Sequence, residues 1–403
     1  MNILFLTMYN IKSVYSSGIY EDLMREFLNN NHNVYIATPV EKRFREDTNI
    51  VEENNCKILK IKTGNLQKTS FIKKGISTFR ITSQFKFAIK KYFRNVKFDL
   101  IIYSTPPITL DKVVEYVKKR DNAKTFLLLK DIFPQNAVDL GILSKKGLKG
   151  IIYKYFRKKE KQLYSLSDKI GCMSQANVDY IVEHNSEVDK SKLTIVPNSI
   201  EPKNFFLPTN EKVVMRKKYD IPLDKVVFVY GGNLGKPQDV PFIIKCLKSQ
   251  IKNEEVFFLI VGDGTEYHLL EEYFEKDKPK NVKVMKRLPK EDFDAMVASC
   301  DVGMIFLDHR FTIPNYPSRL LSYMQARIPV LACTDKNTDI GDDIENGGFG
   351  WKCESNDVNS FVKSVTVAIQ TDKVDMGQRG RQILIERFNV NVGYKTIMSV
   401  VRE

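Results

Sequence analysis

A chain of 403 residues, 43 % of them hydrophobic, is too long for one ordinary core, and its length alone predicts two domains of roughly 200 residues each. No apolar run approaches the about 20 residues that span a bilayer, which excludes a membrane-crossing helix, and the opening NILFLTMY lacks the charged front and small-residue cleavage site of a signal peptide. The net charge of +14 is concentrated in two segments, and the rest of the chain is near neutral.

In chain order, NILFLTMY reads as a first strand, with a helix from about Ile19. NVYIAT and CKILKI are further strand signals. A basic helical segment follows: between Lys68 and Lys97 stand nine Lys or Arg and no acid, interleaved with Phe71, Phe79, Phe85, Phe87, Tyr92 and Phe93. Next come FDLIIYS, a helix, KTFLLLK and a second basic helix, GLKGIIYKYFRKKEKQLY, where eight Lys or Arg between Lys145 and Lys161 face one acid, Glu160. DKIGCMS, a helix and KLTIVPN complete the first series. After a linker near PNSIEPKNFFLPTNEK, the strands VVFVYGG, EVFFLIVGDG, NVKVMKR, DVGMIFL and PVLA alternate with helices in a second series. The expectation is an α/β protein of two Rossmann-like parallel-sheet domains, 1–203 and 204–384, facing a central cleft, with a helix in 385–403 returning to the first.

A basic helix with an aromatic face suits an anionic lipid surface, and a solvated face packed on its own domain gives the same pattern. Two such segments in one domain favour membrane contact, through Lys73, Lys74, Lys90, Lys91, Arg157 and Lys158. No nucleic-acid module accompanies the charge, so no nucleic-acid partner is expected. The six cysteines form no CxxC pair and mostly lie in apolar runs, as buried free thiols of a reducing cytoplasm would.

Ligands of open parallel sheets sit beyond the carboxyl ends of strands, so the informative residues directly follow each one. In VYGGNLGKPQDV, Gly231, Gly232, Asn233 and Gly235 let backbone amides approach a phosphate, the next helix start adds a positive dipole end, and Lys236 adds a full charge. A plain strand-to-helix turn is the alternative. Gly262 and Asp263 end the next strand. In NYPSRLLSYMQARIPVLA, Pro317 and Ser318 supply a stop and a helix cap, with Arg319 and Leu320 in the first turn. Two helix starts, one lysine and one arginine can hold a pyrophosphate, and donors fixed on a departing diphosphate lower the barrier as well as bind. Asp131, directly after a strand, is the acid best placed for an acceptor or positioning role, or else caps the following turn. His309 lies beyond another strand, as a sugar contact or a plain loop residue. Asp335, Asp339, Asp342 and Asp343 share a turn-rich loop without a DxD pattern, so no metal site and no required cofactor is expected.

The ordered set SSGIYEDLMREFLNNNHNVYIAT, FDLIIYSTPP, LLLKDIFPQNAVDLGIL, GCMSQANVDYIV, IVPNSIEPKNF, VYGGNLGKPQDV, LIVGDG and YPSRLLSYMQARIPVLA resembles the family 4 retaining glycosyltransferases of the two-Rossmann-domain (GT-B) fold. Within them it resembles the WbuB-like aminosugar transferases of bacterial surface polysaccharides, including the CapL-type N-acetyl-L-fucosaminyltransferases. The resemblance implies a UDP-sugar donor held mainly by the second domain, with Lys236 and the Gly231–Gly235 loop on the diphosphate. It places Arg287 and Leu288 near the base, Ser318, Arg319 and Leu320 at the phosphate-facing helix start, and Gly18 near donor and acceptor. It also implies an undecaprenyl-diphosphate sugar acceptor, capsule-assembly proteins as possible partners, and work at the cytoplasmic face of the cell membrane. A UDP-sugar 2-epimerase and a non-catalytic sugar-nucleotide-binding subunit are the rival readings. Two carboxylates of the family pattern are missing: Pro314 and Ser322 stand in their places, and Arg327 replaces a glycine. Ser322 keeps one hydroxyl for the donor ribose.

Overall fold

The computed structural model describes residues 1–65 and 71–402, without the side chains of 71–79, 400 and 402. The membrane-contact residues Lys73 and Lys74 therefore lie outside the described side chains. The chain forms two compact units, the first from Met1–Glu201 with Val390–Glu403, the second from Pro202–Asn389.

The first unit runs β1 (Asn2–Leu6), α1 (Ile19–Asn29), β2 (Asn33–Glu41), β3 (Asn49–Glu53), β4 (Cys56–Thr63), α2 (Phe71–Tyr92) and β5 (Leu100–Ser104). It continues with α3 (Asp111–Asp121), β6 (Lys124–Leu129), α4 (Gln135–Asp139), α5 (Gly147–Leu166), β7 (Lys169–Cys172), α6 (Gln175–His184) and β8 (Leu193–Ile195). The second runs α7 (Thr209–Lys218), β9 (Val226–Asn233), α8 (Val240–Ser249), β10 (Val256–Asp263), α9 (Tyr267–Asp277), β11 (Val282–Lys286) and α10 (Lys290–Ala298). β12 (Val302–Phe306), α11 (Arg319–Ala326), β13 (Val330–Thr334), α12 (Ile340–Asn346), β14 (Gly350–Glu354), α13 (Val358–Gln370) and α14 (Lys373–Arg387) complete it, and α15 (Val390–Arg402) belongs to the first unit.

Each unit is a sheet wrapped by helices. The first sheet has eight strands in the order β3-β4-β2-β1-β5-β6-β7-β8, parallel except for β3, which pairs antiparallel with β4. The second has six parallel strands, β11-β10-β9-β12-β13-β14. Central strands such as LIIYS and VGMIF are buried at every residue because helices cover both faces, which is why they read as unbroken apolar runs. Phe5, Phe27, Ile36, Ile102 and Phe126 lie in the first core together with Tyr394, Ile397 and Met398 of α15. Phe228, Phe258, Phe306 and Phe361 centre the second. All six cysteines are free and buried.

Strand order locates the two reversal points, beyond which open parallel sheets hold their ligands. In the second unit the chain lays β10 and β11 on one side of β9 and then returns to place β12 on the other. Helices after β9 and β12 leave on opposite faces, so a crevice opens beyond these two carboxyl ends. The first unit reverses likewise between β1 and β5.

Candidate functional site

At the second unit's reversal point, Gly231 and Gly232 stand just before Asn233, the last residue of β9. Gly232 has φ 126°, open to glycine and strained for other residues, and a Cβ there would lie 3.5 Å from Arg319 Nη2. Gly262 faces Gly232 across the β9–β10 pairing, where an added Cβ would stand 2.1 Å from the Gly232 carbonyl oxygen. These glycines are thus required by backbone packing, whatever binds above them. Gln238 Oε1 accepts from Gly235 N–H at 3.2 Å and from Asn233 Nδ2 at 2.9 Å, which fixes the turn. Lys236 opens a short 3-10 turn, exposed and without an ion pair among the described residues.

The expected dipole end at α8 is corrected by its own cap. Asp239, in a left-handed conformation at φ 50°, receives the Phe242 N–H at 3.2 Å, so a carboxylate already occupies that helix start. Ser318 stands at the N-cap of α11, but its backbone is already helical and its side chain makes no capping bond, so its expected capping role is corrected as well. Leu320 N–H and Leu321 N–H bond back to Pro317 O and Ser318 O, so the donor capacity left at this start lies with Ser318 and Arg319.

Arg319 is the residue around which this end of the unit is built. Its guanidinium carbon lies 4.3 Å from the centre of the Tyr230 ring, while Nη1 is buried without a hydrogen-bond partner among the described residues. Burial raises the Tyr230 pKa against the lowering influence of this guanidinium, and the Tyr230 hydroxyl donates to Asn233 O at 2.5 Å. One turn on, the Tyr323 hydroxyl donates to Met304 O at 3.0 Å and accepts Gly231 N–H at 3.2 Å, tying α11 to β9 and β12. Ser322, half-buried in the same helix, makes no side-chain hydrogen bond among the described residues. Arg327 occupies the left-handed C-cap at φ 57°, the conformation a glycine adopts freely. Its side chain explains its presence there: Nη2 donates to Asn204 Oδ1 at 3.3 Å, and the guanidinium carbon stands 5.2 Å from the Phe206 ring centre.

Arg287 and Leu288 follow β11, two strands from β9, with Arg287 exposed. Asp263 follows Gly262, and its Oδ1 accepts Gly264 N–H at 2.8 Å. His309 Nδ1 lies 3.5 Å from Asp239 Oδ2 and 3.6 Å from Asp308 Oδ1. The donor atoms of these three residues lie within 4.8 Å of one another, as in a cation site. Their commitments argue against one: Arg310 Nε donates to Asp308 Oδ1 at 2.9 Å, and Asp239 caps α8. Burial works to raise the Asp308 pKa, but the Arg310 bonds outweigh it and the net shift is downward.

In the first unit, Gly18 precedes α1 in extended backbone, and a Cβ there would lie 2.2 Å from Glu21 Oε2. That oxygen is buried and unpartnered, and burial raises the Glu21 pKa. Asp131 follows β6, and Asn136 Nδ2 donates to its Oδ2 at 2.7 Å. α4 starts after Pro134, so Asp131 braces the turn through Asn136 without being its N-cap. Burial pushes the Asp131 carboxyl up to about 6 and the neighbouring Lys130 ammonium down to about 7. Thr105 links the pair, accepting Lys130 N–H at 3.1 Å and donating to Asp131 O at 3.2 Å.

The basic segments divide in an unexpected way. Arg157 is committed inward: Nη1 meets Glu160 Oε2 at 2.5 Å, and Nη2 donates to Asn185 Oδ1 at 2.6 Å and to His184 O at 2.9 Å. Lys90 Nζ lies over the Tyr116 ring at 4.9 Å and Lys91 Nζ over Tyr92 at 5.1 Å. Lys158 is exposed and unpaired among the described residues.

Residues 211–383 match the family model described as Glycosyl transferases group 1. That match covers less than half of the chain. Among curated proteins, this chain is 24 % identical to the probable glycosyltransferase WbjE of Pseudomonas aeruginosa over 337 residues, covering 83 % of this chain and 82 % of that one. It is 23 % identical over 210 residues to the UDP-Gal:alpha-D-GlcNAc-diphosphoundecaprenol alpha-1,3-galactosyltransferase of Escherichia coli, covering 50 % of this chain and 52 % of that one. Sucrose-phosphate synthase of Thermosynechococcus elongatus shares the fold with a TM-score of 0.76 at 14 % identity, covering 100 % of this chain and 98 % of that one. Both units thus belong to the GT-B architecture of two Rossmann-like domains.

The glycine-rich strand ends and Arg319 are visible in the sequence because they follow strands. Tyr230, Tyr323 and Glu21 are not, because an aromatic in a strand or helix reads as core and an acid in a first turn reads as a dipole partner. Asp239 before Val240-Pro241 was a readable cap signal, Asp followed by proline in the first turn.

Proposed function

We propose that this chain transfers a sugar with retention from a UDP-sugar to a sugar carried on undecaprenyl diphosphate, in bacterial capsule or O-antigen synthesis. N-acetyl-L-fucosamine is the transferred sugar in this reading. The observation that carries it is Arg319, a cation beneath the Gly232 turn with one buried N–H lacking an acceptor. Leaving such a donor unmade costs about 1–3 kcal/mol, and an anionic oxygen is its natural partner. Lys236, exposed and without an ion pair among the described residues at the same strand end, supplies the second charge. The relative named for a UDP-Gal donor and a diphosphoundecaprenol acceptor supports the choice of both substrates.

In the reaction the acceptor hydroxyl oxygen bonds to the anomeric carbon as the bond from that carbon to the diphosphate oxygen breaks. The hydroxyl proton leaves with the UDP. Negative charge grows on the diphosphate in the transition state, so Arg319 and Lys236 accelerate the step only as far as they hold it better there than in the bound donor. Arg287 and Leu288 are assigned to the base side, Ser322 to the ribose, His309 to the sugar, and Gly18 with Asp131 to the acceptor side. The enzyme works at an anionic membrane surface, where its acceptor resides.

The test is incubation of the purified protein with UDP-N-acetyl sugars and a lipid diphosphate sugar. Acceptor-dependent UDP release is expected. Epimer formed without acceptor, or UDP binding without turnover, overturns the reading.

A further inference from the structure

α5 carries a face that its own unit leaves uncovered. Leu148 is 84 % exposed, Ile151 66 %, Ile152 44 % and Tyr155 37 %. Their spacing of three, four and seven residues from Leu148 puts them on one stripe of the helix. Scattered surface apolar residues need no explanation, but four on one stripe form a patch. The side turned inward is different: Gly150, Glu160, Leu163 and Tyr164 are buried, and Phe156 meets Phe133 with ring centres 5.0 Å apart.

Lysines flank the stripe. Lys146, Lys149, Lys154 and Lys158 are exposed, and none has an ion pair among the described residues. Glu160, the one acid between Lys145 and Lys161, is buried and held by Arg157 and the Tyr164 hydroxyl, so it answers none of them. Lys154, Lys158, Lys161 and Gln162 border an open groove of about 670 Å³ along the second half of the helix, together with Glu187, which pairs with Lys161 at 2.9 Å. The apolar stripe therefore ends in a trough where Lys154 and Lys158 are the cations without an ion pair among the described residues, a sequence of surfaces that matches acyl chains and phosphate headgroups.

We infer that the exposed face of α5 docks this enzyme on an anionic phospholipid bilayer, with Leu148, Ile151 and Ile152 entering the interface and Lys154 and Lys158 meeting lipid phosphates. This rests on, and makes specific, the membrane-bound acceptor proposed above. It moves the contact away from Arg157, whose guanidinium the fold engages with Glu160 and Asn185. The helix lies on the membrane and does not cross it, since no described helix is long and apolar enough to span.

Flotation of the full chain with vesicles of phosphatidylglycerol and phosphatidylcholine in equal parts tests the inference. Binding is expected, weakened by salt and lost on pure phosphatidylcholine. Lys154→Gln with Lys158→Gln should weaken it roughly fivefold per lysine. Leu148→Ser with Ile151→Ser and Ile152→Ser should weaken it about tenfold or more per residue. Ile151→Trp should shift its emission to the blue and be quenched by brominated lipid, with Trp351, the chain's single native tryptophan, as reference. Wild-type protein that ignores the anionic vesicles, variants that bind as well as wild type, or a soluble dimer lost in the Ile151 variants with no vesicle binding would each overturn it. Turnover on a short-chain, water-soluble acceptor separates the two proposals. It should survive in all three sets of variants. Vesicle binding without turnover by the wild type sinks the transfer reading and leaves the docking surface standing.

Discussion

Replacing Arg319 by Ala separates a binding role from a structural one, because the two make opposite demands on stability. The substitution removes a cation–π contact with a guanidinium carbon 4.3 Å from the Tyr230 ring centre, worth about 0.5–2 kcal/mol. It also removes a buried Nη1 donor that has no acceptor, a burden of about 1–3 kcal/mol. The two terms nearly cancel, so the unliganded protein should change by less than about 1 kcal/mol, a Tm shift within about 4 °C. The bound state loses charge-assisted hydrogen bonds to the diphosphate worth about 1.5–3 kcal/mol, so UDP affinity should fall roughly 10- to 150-fold. Calorimetric titration with UDP and a thermal melt without it measure the two quantities. A melt lowered by many degrees with UDP affinity intact would make Arg319 a prop for Tyr230 and refute the reasoning.

Lys236→Ala should leave the melting temperature unchanged, since the side chain is exposed and unpaired, and should reduce turnover about 100-fold; a near-normal rate removes it from the site. Ser322→Glu restores a carboxylate near the expected ribose position and should tighten UDP binding in the same titration, while an unchanged constant would place the ribose elsewhere. Gly262→Ala forces a Cβ to 2.1 Å from the Gly232 carbonyl oxygen, and should cost about 1–3 kcal/mol in urea unfolding and weaken UDP binding with it. Asp131 titrates at about 6 in the folded chain and near 3.9 unfolded, so the folded state holds its proton more tightly and stability falls as pH rises between these values. Asp131→Asn should abolish that share of the slope; urea midpoints at acid and neutral pH check it, and an identical pH dependence in both proteins would contradict the buried carboxyl. Asp335, also raised to about 6 by burial, remains in both and cancels in the comparison.

What the sequence makes legible follows from how much each residue type must bury. Central strands such as VFFLIVGD, buried along nearly their whole length, leave an unmistakable apolar run. β3 (NIVEE) and β14 (GWKCE) lie at sheet edges, need few apolar residues, and pass unnoticed in an apolar scan. The candidate site shows the same division. Gly232 and Gly262 announce themselves as glycines in the last residues of strands, and Lys236 by following one. The pairing of Arg319 with Tyr230 depends on a tertiary approach of α11 to β9, which no local pattern encodes. The expected dipole at α8 failed for a local reason: Asp239 is both the end of the loop and the cap of the helix. Arg327 looked anomalous beside a glycine pattern until its contacts with Asn204 and Phe206 accounted for the left-handed backbone it tolerates.

The first unit is built from two separated stretches of chain, with all of Pro202–Asn389 inserted between them. Val390, Tyr394, Ile397, Met398 and Val401 pack in the core beside Phe5 and Phe27, and His32 Nε2 meets the Tyr394 hydroxyl at 3.0 Å. During synthesis that core stays open on one side until the second unit has been made in full. A chain cut short just before Val390 would therefore retain every residue of its second unit and yet fail in the first, exposing Phe27 and Ile36 to aggregation or proteolysis.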